Sequence, residues 1–224
     1  LKDPKDFKIL GKPMPRPDIP AKVNGSAVFG IDAAVPGMLY ASVQHSPVIH
    51  GKIVRFNQEA VAAMPGVKYV VKTERKMPHK AVEAVAVVAT SFWAAVKGRR
   101  ALDIEWDNSG VEFISTEQYF SETYKKVREQ EGNDYPDTVG NVKTALASAA
   151  KVLTAEYETP FASHAQIEPM TATAWVQGDK VEIWTAVQSS VGVINDVSDY
   201  LGIPKKNVKV NVLFMGGSFG RKGY

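Results

Sequence analysis

Residues 207–223 read NVKVNVLFMGGSFGRKG. An alternating apolar strand runs straight into a loop with glycines at 216, 217, 220 and 223 and with the adjacent cations Arg221 and Lys222. Glycine carries no Cβ and tolerates positive φ, so a loop of this kind lets the backbone approach a ligand and turns its N–H groups toward an anion. The plainer reading is a tight turn after a strand. Four glycines in eight residues beside two cations favour the ligand-binding reading. Two nucleotide motifs can be tested against the loop. A Walker A sequence needs Gly-Lys-Ser/Thr, and Lys222 is followed by Gly223. A dinucleotide fingerprint fits Gly217 and Gly220 but meets Met215 where its first glycine belongs.

Working back from the loop, Ser189 or Ser190 caps a helix whose apolar positions Val191, Ile194, Val197 and Leu201 fall at helical intervals, with Gly202 and Pro204 as the stop. Before it, ATAWVQ and KVEIWTAV form a hairpin around Gly178-Asp179. A strand KVLTAEYET and a short helix over 142–149 precede the hairpin. The polar, turn-rich stretch EGNDYPDTVGN marks a domain boundary. Ahead of it, Ser115 and Gln118 stand in capping-box spacing, opening a helix lined by Phe120, Tyr124 and Val127. From Ser26 to Asp107 the signals are mostly β: SAVFGID, GMLYASVQHS, KYVVKT, EAVAVVA and DIEWD read as strands. NQEAVAAMPGV, capped by Asn57, and SFWAAVKGRRAL, capped by Thr90 or Ser91, read as helices among them. Five of the thirteen prolines lie in residues 1–22, which reads as an extended linker. The class is α+β, with a linker over 1–19, one domain over 20–128 and the opening part of a second over 129–224.

The 224 residues are 45% apolar and 23% charged, with 27 Lys+Arg against 24 Asp+Glu. That balance points to neither disorder nor a fibrous class, and no basic tract interleaved with aromatics follows a nucleic-acid backbone. Without cysteine, disulfides, Cys-ligated zinc, iron–sulfur ligation and thiol catalysis are excluded within this chain. No apolar run approaches the ~20 residues of a membrane span, and LKDPKDFKIL lacks the apolar core of a signal peptide.

Two further positions stand out. His164 and Glu168 are four apart, a spacing that pairs side chains on a helix as metal ligands or as an acid/base couple. Pro169 interrupts any helix there, and no third ligand is evident, so a supporting structural role is favoured and no metal ligand is assigned. Gln188 ends a strand just before a helix, where ligands commonly meet a scaffold, and its amide both donates and accepts. An isolated glutamine is more often a surface residue. His45, His50 and His79 are scattered, and Ser163 has no identifiable triad partners.

Five motifs in order, GKPMPRPDIPAKVNGSAVFGIDAAVPGMLYASVQHSPVIHGKI, MPGVKYVV, HAQIEPMTATAW, TAVQSS and FMGGSFGRK, resemble the molybdopterin-binding subunit of the xanthine dehydrogenase/aldehyde oxidase family, in particular its isoquinoline 1-oxidoreductase β-subunit branch. The resemblance implies an α/β hammerhead domain followed by the beginning of a molybdopterin-binding domain. It implies a molybdenum–pyranopterin cofactor, as molybdopterin or its cytosine dinucleotide, and hydroxylation of an aldehyde or N-heterocycle with oxygen from water. Gly216, Gly217, Ser218, Phe219, Gly220 and Arg221 match the loop beside the metal's ligands and the pterin. Gln188 matches the glutamine that hydrogen-bonds a molybdenum oxo group. His164 and Glu168 match the branch's His-x-x-x-Glu-Pro signature, as supporting positions.

The departures are specific. Ser218 replaces the glycine usual at the loop's third position, and Gly223 stands where purine-oxidising members carry a glutamate. The glutamate base of the family falls outside this chain, so no catalytic residue is assigned within it. The implied partners are the rest of the large subunit, an iron–sulfur electron-transfer subunit and a small-molecule substrate, with a periplasmic location favoured over a cytoplasmic one. The alternatives are a non-catalytic folded fragment and a small phosphate- or nucleotide-binding module using Arg221 and Lys222.

Overall fold

The computed structural model describes residues 2–77, 80–109, 111, 115–130, 132 and 139–223. They form two compact units: Met38–Glu158, and a discontinuous unit made of residues 1–37 and 159–224. This grouping differs from boundaries at 19/20 and 128/129. Residues 27–32 are tied to the segment ahead of the glycine loop, where Phe214 N–H donates to Val28 O at 3.2 Å and Phe29 forms a parallel bridge with Phe214. Most of EGNDYPDTVGN, residues 131 and 133–138, lies outside the described residues.

The discontinuous unit has a 3-10 turn at Pro4–Asp6 and then a short helix, α1 (Ile19–Val23), both inside the proline-rich segment. The expected strand SAVFGID is instead the single bridge at Phe29 followed by a 3-10 turn, Gly30–Asp32, whose Asp32 carboxylate accepts from Phe29 N at 3.0 Å.

In the unit Met38–Glu158, β1 (Tyr40–His45) is followed by β2 (Lys52–Phe56), a strand not among those expected. Then come α2 (Gln58–Ala62), β3 (Val67–Met77), β4 (Lys80–Ala89), α3 (Phe92–Arg100), β5 (Ile104–Asp107), α4 (Thr116–Glu129) and α5 (Val142–Ser148). The central sheet is antiparallel in the order β1-β4-β3, and β2 pairs with β5 beside it. Alternation sends Val85 and Val87 of β4 and Val70 of β3 to one face, where they meet Val61 of α2 in a fully buried cluster. Ser91 caps α3 by accepting from Ala94 N at 3.2 Å. Gly98 lets α3 lie close to the sheet, because a Cβ there would come within 2.7 Å of Val87 Cγ1.

Two expected caps differ. Asn57 makes no cap bond to α2; its amide donates to Ala101 O at 2.9 Å and accepts from Asp103 N at 2.8 Å, so it ties β2's end to the chain after α3. Ser115 caps α4 at Gln118 N, but the Gln118 side chain reaches forward to Glu122 and the reciprocal half of the capping box is not made. On α4, Phe120 and Tyr124 stack at 5.5 Å, and Val127 is 73% exposed. The expected strand over 151–159 is irregular, with no described strand beside it to complete a ladder.

After Thr159 the second unit resumes with β6 (Ala172–Gln177), β7 (Lys180–Thr185), α6 (Ser190–Leu201) and β8 (Val208–Val212). β6 and β7 form the expected hairpin, and β8 returns parallel to β7 through the α6 crossover. Val181, Ile183 and Val208 form the core, covered by Val193, Ile194 and Val197 of α6. The helix is therefore rotated from its expected face, leaving Val191 65% and Leu201 40% exposed. Ser189 caps it through Gly192 N at 3.2 Å, and Gly202 ends it at φ 65°.

Candidate functional site

The parallel pair β7–β8 delivers two segments side by side: the chain after β7, which reaches Gln188, and the chain after β8, which becomes the glycine loop. This is the C-terminal edge of parallel strands, where open sheets place ligands. Cross-links hold the segments in register. Leu213 N donates to Thr185 O at 3.0 Å, and Gln188 N donates to Lys222 O at 3.0 Å.

Glu168 is the hub beneath the loop. It is 7% exposed, and its two oxygens receive three donors: Gly30 N at 2.7 Å on Oε1, and Gly216 N at 2.8 Å together with the Lys222 ammonium on Oε2. Glu168 N in turn donates to Gly216 O at 3.2 Å. Gly216 is required by this close approach, since a Cβ would fall 2.7 Å from Glu168 Cβ. Burial pushes the Glu168 carboxyl up, but the Lys222 ammonium and the Gly216 and Gly30 N–H groups outweigh it and hold the group below its ordinary value. Both partners of the pair are almost wholly enclosed, at 3% and 6% side-chain exposure.

Gly217, Phe219 and Gly220 have φ values of 90°, 52° and 96°, with Ser218 between them at negative φ. A turn in which the sign of φ changes in this way can direct neighbouring N–H groups toward one anion. The N–H groups of residues 217–220 meet no acceptor among the described residues, whereas those of 221–223 close back onto Ser218 and Gly220. Phe219 holds positive φ without being glycine and is 70% exposed, a strained conformation kept by the clamps on either side. Such a rim fits an acceptor-rich ligand face: it offers neutral backbone donors and no carboxylate to oppose them.

The structure brings Gln188 and Ser218 together, the Ser218 hydroxyl donating to Gln188 Oε1 at 2.5 Å, while Gly216 bonds to Glu168. The His164 ring lies against Gly220, 3.6 Å from where a Cβ would stand. His164 and Glu168 do not form the couple that their spacing allows; Glu168 turns to Lys222 instead. Arg221 is exposed and donates from its backbone to Ser218 O at 3.0 Å. Lys222, a candidate anion ligand in the phosphate-module alternative, is buried and neutralised by Glu168, so that role is overturned. Gly30 and Lys222 as partners of Glu168 were missed by sequence reasoning. Neither carries a local signal, because Lys222 lies 54 and Gly30 138 residues from Glu168. No group of three His, Cys, Asp or Glu side chains stands together among the described residues.

With this geometry the comparisons with known proteins agree. Residues 125–224 match the family model of the molybdopterin cofactor-binding domain. That segment belongs to this family. Over 92% of its length the chain is 31% identical to a membrane-bound aldehyde dehydrogenase [pyrroloquinoline-quinone] of Gluconacetobacter polyoxogenes, covering 26% of that protein. Over 99% of its length it is 27% identical to the isoquinoline 1-oxidoreductase β subunit of Brevundimonas diminuta, covering 28% of it. The fold matches the crystal structure of quinoline 2-oxidoreductase from Pseudomonas putida 86 with a TM-score of 0.64 at 20% identity, over 92% of this chain and 30% of that one. The family resemblance and the α+β class expected from the sequence are thereby borne out. The chain spans about a quarter to a third of the length of these relatives.

Proposed function

We propose that this chain is part of a molybdenum hydroxylase and supplies one wall of its cofactor pocket. The single observation that carries the reading is the run of N–H groups at residues 217–220 that meet no acceptor among the described residues, on a glycine loop clamped by Glu168 within a segment matching the molybdopterin cofactor-binding domain. Gly217, Ser218, Phe219 and Gly220 would hold the pterin and the oxygen ligands of the metal through backbone donors, and Gln188 would add a side-chain donor. When bound, a molybdenum–pyranopterin supplies two-electron oxidation of a carbon next to nitrogen or oxygen, with water as the oxygen source.

The residues present fit that group. Preorganised neutral donors stabilise negative charge without reorganisation when they face it in a water-excluded site. The Glu168–Lys222 pair keeps its own charges inside the fold, so the loop offers no anion that would repel the ligand. The chain's contribution is to bind and orient, and the proton-accepting base belongs to the remainder of the subunit. An iron–sulfur protein as electron acceptor, since a chain without cysteine offers no cluster ligands, and a periplasmic location complete the proposal.

The test is oxidation of N-heterocycles, whose ring carbons carry no exchangeable oxygen, by the purified assembly in ¹⁸O-labelled water. Label in the product supports the proposal; an unlabelled product refutes water as the oxygen source. A second reading has one observation in its favour, the quinone in the name of the Gluconacetobacter relative, since the carbonyl oxygens of a quinone would also meet donors on this loop. Extraction of the native protein followed by identification of the released cofactor separates the two.

A further inference from the structure

The buried hydroxyl of Ser218 has a fixed sense of donation. Lys222 N–H can only donate, and it reaches Ser218 Oγ at 2.9 Å. The hydroxyl proton must therefore leave in another direction, and Gln188 Oε1, at 2.5 Å, is its acceptor among the described residues. Reversing the amide would make Ser218 Oγ accept twice and leave its proton without a partner in a residue only 8% exposed. The Gln188 carbonyl thus faces inward, its backbone is pinned by the bond to Lys222 O, and its NH₂ is turned away from Ser218 with no acceptor among the described residues.

We propose that Ser218 is a positioning residue whose hydroxyl sets the Gln188 amide as a donor toward whatever the glycine loop holds. The inference rests on the functional reading above and narrows it. The ligand atom facing Gln188 must be an acceptor, an oxo or oxyanion group, because both the amide and the loop present only donors.

The test uses the native assembly with Ser218→Ala, Gln188→Ala, Gln188→Glu and the double variant Ser218→Ala/Gln188→Ala, reading the rate at which molybdenum and pterin are lost on dialysis and the melting temperature. Ser218→Ala and Gln188→Ala should each speed cofactor loss about tenfold, the scale of one hydrogen bond. The double variant should lose it no faster than Gln188→Ala. Gln188→Glu keeps the acceptor for Ser218 but removes the NH₂ and sets a carboxylate against the ligand, so it should lose cofactor at least as fast as Gln188→Ala while melting like the unaltered protein. Unaltered retention in Ser218→Ala or in Gln188→Glu, or multiplying effects in the double variant, overturns the inference alone. Absence of molybdenum and pterin from the unaltered assembly overturns the functional reading, and this inference with it.

Discussion

Glu168 concentrates the chemistry of the loop in one side chain. Lys222→Met would leave its carboxylate buried beside two N–H donors only, and removing one partner of a buried pair costs about 3–5 kcal/mol. Thermal unfolding of the variant should register that loss, and Glu168→Gln/Lys222→Met should recover part of it, because the uncompensated charge is gone. The acid limb of stability has a definite sign. The folded carboxyl is held below its ordinary value, so its contribution is complete above the ordinary carboxylate range and fades as pH falls through the lowered value. Unfolding midpoints measured from about pH 5 to about pH 2 should fall less steeply in Glu168→Gln. The glycine pattern and the strand-end glutamine were legible in the sequence because they are local. Glu168's true partners were not: they lie 138, 48 and 54 residues away, and no spacing rule reaches so far.

Among the elements, those with their own turn chemistry were legible and those that depend on a neighbour were not. The β6–β7 hairpin was announced by Gly178-Asp179, and α3 by its serine cap and helical spacing. KVLTAEYET has the composition of a strand, yet β structure needs a partner ladder, and Leu153 and Tyr157 stand 84% and 89% exposed there. For α6 the intervals identified a helix, but packing against β7 and β8 chose a face rotated from the expected one. Gly98→Val would put a branched side chain where even a Cβ lies 2.7 Å from Val87 and 3.3 Å from Val67. Overpacking of this kind costs about 1–3 kcal/mol, and chemical denaturation should show a lowered midpoint with an unchanged slope.

At the scale of the molecule, the site belongs to a unit assembled from both ends of the sequence. The segment that matches the cofactor-binding domain begins at residue 125, but Gly30 and Val28 bind its Glu168 and Phe214 from the other end. A chain shortened to residues 38–224 should therefore lose protection of the loop: hydrogen exchange at Gly216 and Phe214 should rise toward the unprotected rate, while β3 and β4 keep theirs. Unchanged protection would mean that the loop is set by its own segment alone. The central claim, that the glycine loop is one wall of a molybdenum–pterin pocket, is tested most directly by quantifying molybdenum and pterin in the native assembly that contains this chain. Both should be present, in equimolar amount with the chain. A folded assembly free of metal and pterin, or one releasing a quinone instead, would contradict it.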